Sequence, residues 1–116
     1  MALPGLQGLW DLNGPTINRV ISTTSPGNYA LGYVKGRTFF ALYVGRSDDD
    51  LNDRLHRWTS NPRYRSFKAS YASGAIDAFM RECRNYHECG GSEKLDNDIH
   101  PCKPEGIDVV CPVCGR

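Results

Sequence analysis

Alternation of apolar and polar side chains predicts two neighbouring β-strands in the first half of the chain. In residues 28–35, tyrosine and leucine alternate with smaller residues, and residues 38–44 are similarly rich in aromatic and aliphatic side chains. Alternation with a period of two places successive side chains on opposite faces of a strand. The Lys-Gly-Arg sequence at 35–37 suits a tight turn, so the two strands are expected to form a hairpin.

Apolar residues at helical spacing predict a helix directly after this hairpin. Leu51, Leu55 and Trp58 recur along one face of the helix. Ser47 can cap its first turn, where the three aspartates that follow are favoured by the helix dipole. The helix is expected to end at Asn61-Pro62.

One more strand and one more helix complete the predicted fold. Residues 64–72 suit a third strand and residues 74–88 a second helix, which Ser73 can cap. Residues 1–25 are rich in Gly, Pro, Asn and Ser and are expected to form an irregular lead-in, with one short element around Ile17 that packs on the core. We therefore predict an α/β fold with a small, mainly antiparallel three-stranded sheet flanked by helices.

Composition favours one globular domain. The chain has 116 residues, of which 40% are hydrophobic, which excludes the disordered class. No apolar run approaches the roughly 20 residues that a membrane-spanning helix needs, and no basic-then-apolar leader opens the chain. We therefore expect a cytoplasmic protein that does not bind a membrane.

Basic side chains are concentrated in the middle of the chain. The net charge of +1 indicates no partner, but residues 54–76 contain no carboxylate. Their basic residues are Arg54, Arg57, Arg63, Arg65 and Lys68. Such a cluster can bind the phosphates of a nucleic acid, and it can equally be a solvated surface without a partner.

Three short motifs resemble a known family of nucleases. They are Pro26-Gly27-Asn28-Tyr29, Tyr43-Val44-Gly45-Arg46 and Leu51-Asn52-Asp53-Arg54-Leu55. A glutamate, Glu82, follows them on the second predicted helix. In order and spacing these residues resemble the GIY-YIG nuclease superfamily, in the variant that opens the bacterial nucleotide excision repair endonucleases. The resemblance covers residues 26–88.

The resemblance implies an endonuclease that hydrolyses DNA phosphodiester bonds with the help of Mg²⁺ or Mn²⁺. The implied catalytic residues are Tyr29, Tyr43, Arg54 and Glu82, with Glu82 as the ligand of the divalent cation and Arg46 near the phosphate. Two features depart from the family pattern. Asn28 stands where the family has an apolar residue, and one additional residue separates the second motif from the third. Asn97 is the best match to an asparagine that follows the glutamate helix in the family.

The chemistry of these side chains fits phosphodiester hydrolysis, which needs a positioned water, a proton acceptor and positive charge against the phosphate. Glu82 suits one Mg²⁺ that keeps most of its waters, and the planar guanidinium of Arg54 suits phosphate oxygens. Tyr29 or Tyr43 can take the proton of the water if the pKa of its hydroxyl is lowered. The expected substrate-binding residues are Arg46, Arg57, Arg63, Arg65 and Lys68.

Two other classes of function use the same residues in structural roles. Strand tyrosines, Tyr33 among them, commonly pack in a core, and arginine and glutamate beside a helix face commonly form ion pairs or are solvated. The first alternative is therefore a nucleic-acid-binding module whose nuclease site is degenerate. The second is a zinc-stabilised protein-interaction domain that has only the fold of a nuclease.

The cysteines indicate a metal site in the C-terminal tail. All five, Cys83, Cys89, Cys102, Cys111 and Cys114, lie in the last 34 residues together with two histidines. An odd number of cysteines beside histidines favours metal binding over a set of disulfides. The sequence Cys111-Pro-Val-Cys114-Gly115 is typical of a zinc knuckle, in which two thiolates project from a tight turn.

Cys83 and His87 lie four residues apart on one helix face and can complete a tetrahedral zinc site with Cys111 and Cys114. Cys89, His100 and Cys102 are alternative ligands, and Cys83 can also be a small buried apolar residue. Zinc would tie the tail to the helix that carries Glu82, so its removal is expected to loosen the fold and reduce activity together. The predicted organisation is a lead-in (1–25), a catalytic core (26–88) and a zinc-binding tail packed on the core (89–116).

Overall fold

The strands form one antiparallel sheet in a computed structural model that describes residue 3 and residues 5–116. The strands are Gln7–Asp11 (β1), Gly27–Lys35 (β2), Thr38–Ser47 (β3) and Ser66–Tyr71 (β4), arranged in the order β1-β4-β2-β3. The helices are Gly14–Val20 (α1), Leu51–His56 (α2) and Ala75–Glu88 (α3), followed by a 3-10 turn at Gly91–Glu93. The predicted α/β class is confirmed.

The predicted number of strands was wrong, because the sheet has four strands and not three. The additional strand, β1, lies in the lead-in that was expected to be irregular and pairs with β4 at the sheet edge. Four of its five residues are exposed, and its register shifts between Gln7 and Trp10. An exposed, irregular edge strand lacks the apolar alternation that reveals a strand in a sequence. Residues 1, 2 and 4 of the lead-in lie outside the described residues.

The short element expected around Ile17 is confirmed as α1. The side chain of Asn13 caps this helix by accepting a hydrogen bond from the amide of Thr16, and Pro15 lies in the first turn, where its missing N–H is not needed. The side chain of Ile17 is fully buried against the sheet.

The predicted hairpin is confirmed as β2 and β3. Gly36 adopts a positive φ of 65° in its turn, a conformation that favours glycine. The register places Tyr29 opposite Gly45, and a Cβ at Gly45 would lie 2.5 Å from the Tyr29 hydroxyl oxygen. Glycine at position 45 therefore leaves the space that the Tyr29 side chain occupies.

The helix after the hairpin is shorter than its sequence predicts. It ends at His56, and its cap is Asp50, whose carboxylate accepts a hydrogen bond from the amide of Asp53. Ser47, the predicted cap, is the last residue of β3 and accepts a hydrogen bond from the amide of Asp50 at 2.9 Å. Ser47 therefore shapes the turn that leads into α2.

The sheet is covered on both faces. Tyr29 and Leu31 of β2 pack with residues of α1 and α2, whereas Ala30, which points to the other face, packs with Tyr86 of α3. A third, smaller cluster joins Phe79 and Cys83 of α3 to Cys111 of the tail. In the described part of the chain, no helix is both long and apolar enough to cross a membrane.

Candidate active site and metal centre

A pocket of about 310 Å³ opens beside β2 and β3 and is lined by side chains from separate segments of the chain. Its lining includes Tyr29 of β2, Tyr43, Gly45 and Arg46 of β3, Asp48, Arg54 of α2, Glu82 of α3, and the tail residues Asn97, Ile99, His100, Pro101 and Cys102. All four residues predicted to be catalytic therefore line one pocket, together with Arg46.

Glu82 lies at the base of an ion-pair network in this pocket. Its side chain is 9% exposed, and its Oε1 accepts a hydrogen bond from Nη1 of Arg46 at 2.5 Å. The Nε of Arg46 donates to Oδ1 of Asp48 at 2.7 Å. Burial raises the pKa of Glu82 above its usual value, and the nearby Arg46 opposes that rise.

Arg54 is held against the same strand. Its Nη1 donates a hydrogen bond to the backbone carbonyl oxygen of Arg46 at 3.0 Å. The pocket thus contains two guanidinium groups and the carboxylates of Asp48 and Glu82, so its formal charges are balanced. One of the guanidiniums, that of Arg46, bridges the two carboxylates.

The two tyrosines differ in their hydrogen bonds. The Tyr29 side chain is almost fully buried, and its hydroxyl oxygen accepts a hydrogen bond from Nε1 of Trp58 at 3.0 Å. The ring of Tyr43 stacks on Tyr29 and contacts Trp58. Burial raises the pKa of both hydroxyls, and at Tyr29 the Trp58 hydrogen bond opposes the rise. The surrounding protein groups alone therefore do not lower the tyrosine pKa, which is the condition set above for a tyrosine to take the proton of the water.

Trp58 is a site residue that sequence reasoning missed. Helical spacing assigned it to the buried face of a helix, but α2 ends two residues before it, and its indole N–H faces Tyr29. The two residues are 29 positions apart, so no local pattern links them.

Two buried asparagines connect the elements around the pocket. Oδ1 of Asn97 accepts a hydrogen bond from the amide of Val44 at 3.0 Å, and Nδ2 of Asn97 donates one to the carbonyl oxygen of Val44 at 2.8 Å. Asn28, the departure from the family motif, donates from Nδ2 to the carbonyl oxygen of Ala78 at 2.8 Å. Asn97 therefore fixes the tail to β3, and Asn28 ties β2 to the helix that carries Glu82.

Of the predicted substrate-binding residues in the described chain, only Arg46 lines this pocket. Arg57 pairs with Asp53, Arg63 forms two hydrogen bonds with Asp96, the Lys68 ammonium lies over the Phe39 ring, and Arg65 lines a separate groove. None of these four residues lines the pocket, and the guanidiniums of Arg57 and Arg63 are paired with carboxylates.

A second group of side chains has the arrangement of a metal centre. The potential ligand atoms of His87, His100, Cys111 and Cys114 all lie within 4.8 Å of one another. The Nε2 atoms of the two histidines are 3.2 Å apart, and Sγ of Cys114 is 3.3 Å from Nε2 of His100. A tetrahedral zinc site has edges of about 3.3 to 3.8 Å between such ligand atoms, given its usual bond lengths. The donor set and these spacings fit zinc.

The structure brings together three of the four predicted ligands, with His100 in the place of Cys83. Cys83 does lie on the same helix as His87, but its side chain is fully buried between Phe79 and Cys111. The spacing of Cys83 and His87 therefore identified the face of α3 on which the metal centre lies. The fourth potential ligand is His100, because the path of the tail brings this residue to that face.

Backbone amides in the turn at residues 111–115 donate hydrogen bonds to the sulfur of Cys111. The amide of Val113 donates to this sulfur at 3.4 Å, and Gly115 closes the turn with a φ of 80°. Burial opposes ionisation of Cys111, but hydrogen bonds from the amides of Cys114 and Val113 outweigh it and lower the pKa of the thiol to about 5. Thiolate is the form of cysteine that binds metals.

His100 belongs to both sites. Its Nδ1 lies 2.8 Å from the carbonyl oxygen of Pro101, which directs Nε2 towards His87 and Cys114. The same residue lines the pocket that holds Glu82. The metal centre and the pocket thus share a wall.

No protein-family model, curated protein or solved structure that we compared with this chain matches it.

Proposed function

We propose that this chain is a metal-dependent endonuclease that hydrolyses DNA phosphodiester bonds and contains a structural zinc ion. The observation that carries the proposal is the convergence of Tyr29, Tyr43, Arg54 and Glu82, from four separate elements, in one pocket. The sequence motifs that resemble GIY-YIG nucleases imply a catalytic role for the same four residues.

Arg54 and Arg46 supply positive charge for the phosphate. Each guanidinium offers a planar set of donors that matches the non-bridging oxygens of a phosphodiester. The Arg54 guanidinium is fixed by its bond to the β3 backbone. Fixed donors stabilise the charge that develops on the phosphate during attack by water without having to reorganise.

The carboxylates of Glu82 and Asp48 are the pocket groups that fit a divalent cation. Oxygen ligands of this kind suit Mg²⁺ and Mn²⁺. Such a cation supplies Lewis-acid stabilisation of the phosphate and the leaving oxygen when it is bound.

Tyr29 is the group best placed to take the proton of the attacking water. To act as a base, its hydroxyl must first lose its own proton to solvent; the Trp58 N–H, donated to its oxygen, would stabilise the phenolate that then takes the proton of the water. Tyr43 stacks on Tyr29 and helps to hold the ring in position.

Zinc at His87, His100, Cys111 and Cys114 would fix the wall of this pocket. His87 lies five residues after Glu82 on α3, and His100 lies in the segment that lines the pocket. In the described chain, the hydrogen bonds of residues 98–102 to other segments run through His100 alone. The metal would therefore be the main link between this wall and α3.

The nuclease is tested by cleavage of supercoiled plasmid, branched DNA and single strands, with Mg²⁺ or Mn²⁺ and without either. We expect cutting by the wild type only with the cation, and loss of at least about a hundredfold in rate for Glu82→Gln. Glu88→Gln, an exposed glutamate on the same helix, is the matched control and should cut normally. Equal cutting by Glu82→Gln would identify a contaminant or a wrong site. Absence of cutting with retained nucleic-acid binding would favour a degenerate binding module.

The zinc site is tested by metal analysis of purified variants. His100→Ala and Cys114→Ser should lose most of the zinc, whereas Cys83→Ala and Cys102→Ser should retain one ion per chain. Cobalt substitution should give the absorption bands of a tetrahedral site with two sulfur ligands. Loss of zinc in Cys83→Ala with full retention in His100→Ala would restore the ligand set expected from the sequence.

A further inference from the structure

A second groove, of about 590 Å³, is formed by residues of the loop after α2 and the ends of β2 and β4. We call it the hairpin groove; its lining includes Tyr33, Val34, Asn61, Pro62, Tyr64 and Arg65. The reaction proposed for the first pocket does not use it.

The hairpin groove lies along the same strand as the catalytic pocket. β2 pairs regularly with β4 from Gly27 to Gly32, so Tyr29 and Tyr33 point to the same face of the sheet. They are four residues apart, which is about 13 Å along a strand. Tyr64 lines the groove, and its ring contacts Tyr43 of the pocket with 6.2 Å between centroids. The two sites are therefore neighbours separated by one pair of rings.

An exposed pair of aromatic rings stands at the groove. Tyr33, expected to be a half-buried packing residue, is 38% exposed, and Phe40, directly opposite it on β3, is 37% exposed. Their rings stack on each other with centroids 5.3 Å apart and an interplanar angle of 20°. The outer face of an exposed ring in such a stack is a surface on which a nucleobase can stack.

Three cations without ion-pair partners in the described chain lie in the groove or at the adjacent end of the hairpin. Arg65 lines the groove and is exposed, and Lys35 and Arg37 lie in the turn next to Val34. Among the residues that the structure describes, these three form no ion pair. Among the described lining residues Asp11 is the one carboxylate and Arg65 the one cation, so the excess of positive charge comes from Lys35 and Arg37 at the adjacent end of the hairpin. Exposed rings beside unpaired cations complement bases and phosphates together, which an apolar protein partner does not require.

We propose that the hairpin groove binds a single-stranded segment of the nucleic-acid substrate, with a base stacked on the Tyr33–Phe40 pair and a phosphate bound by Arg65. At about 3.4 Å per stacked base, the 13 Å separation places this base about four nucleotides from the bond cleaved in the pocket. This distance rests on the proposed nuclease function, whereas the binding of the strand does not. The groove would select substrates with an unpaired strand beside the cleavage position.

The test measures binding apart from cleavage. Anisotropy of a labelled 12-nucleotide single strand is measured without Mg²⁺, for the wild type and for Tyr33→Leu, Tyr33→Phe and Arg65→Ala. Tyr33→Leu removes the ring and should weaken binding about 5- to 150-fold, while Tyr33→Phe keeps the ring and should bind as the wild type. Arg65→Ala should reduce the slope of log Kd against log salt by about 0.7. Tyr71→Leu is the matched control, since Tyr71 is 40% exposed at the other end of β4.

A second readout does not depend on affinity. A 2-aminopurine base should lose fluorescence on binding to the wild type and keep it with Tyr33→Leu. Equal Kd values for Tyr33→Leu and Tyr71→Leu, or no binding by the wild type at low salt, would overturn the inference. Strand binding that depends on Tyr33 supports the hairpin-groove proposal even if no DNA is cut. Absence of cutting would overturn only the proposed nuclease function. If cleavage requires Glu82 but Tyr33→Leu changes neither KM nor the Kd of the strand, only the hairpin-groove proposal is overturned.

Discussion

Replacing Trp58 by phenylalanine removes one hydrogen bond from the proposed proton acceptor and little else. The indole N–H donates to the Tyr29 oxygen at 3.0 Å, while the Trp58 ring packs on Tyr43 and Tyr64 with centroids 4.7 and 5.6 Å away. Phenylalanine keeps an aromatic ring against both neighbours and loses only the donor and part of the volume.

The magnitude follows from the charge on the Tyr29 oxygen. A hydrogen bond between neutral groups contributes about 0.5 to 1.5 kcal/mol to stability, and one to a charged group about 1.5 to 3 kcal/mol. If Tyr29 acts as a phenolate, Trp58→Phe removes a hydrogen bond to that charged oxygen, so the phenolate fraction below its pKa, and with it kcat, should fall by about 10- to 150-fold. Since Trp58 does not line the pocket, KM should change little. The Trp58 donor lowers the pKa of Tyr29, so its loss should also shift the rise of kcat to higher pH.

The assay compares Trp58→Phe with Trp10→Phe over a range of pH. Trp10 packs on Phe67 in the same core, and its indole N–H has no hydrogen-bond partner among the described residues, so Trp10→Phe imposes a similar loss of volume without losing a donor. Thermal unfolding of both variants corrects for stability. The reasoning would be refuted if Trp58→Phe kept kcat within about twofold of the wild type, or if Trp10→Phe lowered kcat by the same factor.

The other predictions concern acid stability, metal loading and substrate binding. Hydrogen bonding to Arg63 holds the pKa of Asp96 below its usual value, so this pair stabilises the folded state at neutral pH and the contribution is lost as pH falls below about 4. Asp96→Asn should therefore lower Tm at pH 7 by more than at pH 3; an equal decrease at both would contradict the assignment. Chelation of zinc should lower Tm and raise KM, both restored by added zinc, because the pocket wall loses its link to α3. Mn²⁺ and an uncleavable phosphorothioate strand should bind cooperatively, because a phosphate that pairs with Arg46 releases the Glu82 carboxylate for the cation. The Kd of Mn²⁺ is measured by spectroscopic titration with and without the strand. Identical Kd values with and without the strand would exclude this coupling.

The elements of the core could be predicted because their side chains alternate against a buried face. The hairpin, α3 and β4 each carry a regular apolar pattern, and the hairpin register then brings Tyr29 and Gly45 together. The grouping of Tyr29, Arg54 and Glu82 was implied by the resemblance to GIY-YIG nucleases and not by the pattern of any single element; in the structure all three line one pocket.

The features that the sequence could not predict depend on the three-dimensional course of the loops and of the tail. The edge strand β1 buries little and has no alternation to read. His100 and Cys83 were both available as ligands, and only the course of the tail, fixed to β3 by Asn97, brings His100 to α3. The contact between Trp58 and Tyr29 likewise depends on where α2 ends, which local propensities determine poorly.

The two buried asparagines show how the same residue type can have opposite energetic roles at the pocket. Both polar atoms of the Asn97 side chain are hydrogen-bonded to Val44 on the edge strand β3, so leucine at position 97 would leave the buried N–H and C=O of Val44 without partners. Each such group costs about 1 to 3 kcal/mol, and Asn97→Leu should therefore lower the free energy of unfolding by about 2 to 6 kcal/mol.

Asn28 differs because its Oδ1 is buried without a partner in the described chain. Its Nδ2 bonds to the carbonyl of Ala78, which lies within α3 and can still accept from the amide one helical turn later. Asn28→Leu removes one bond and one unpaired acceptor, and these effects oppose each other, so stability should change by about 1 kcal/mol or less. Activity should fall nonetheless, since the link between the strand of Tyr29 and the helix of Glu82 is lost. Urea unfolding and cleavage rates of the two variants test both statements; equal destabilisation by Asn28→Leu and Asn97→Leu would contradict them.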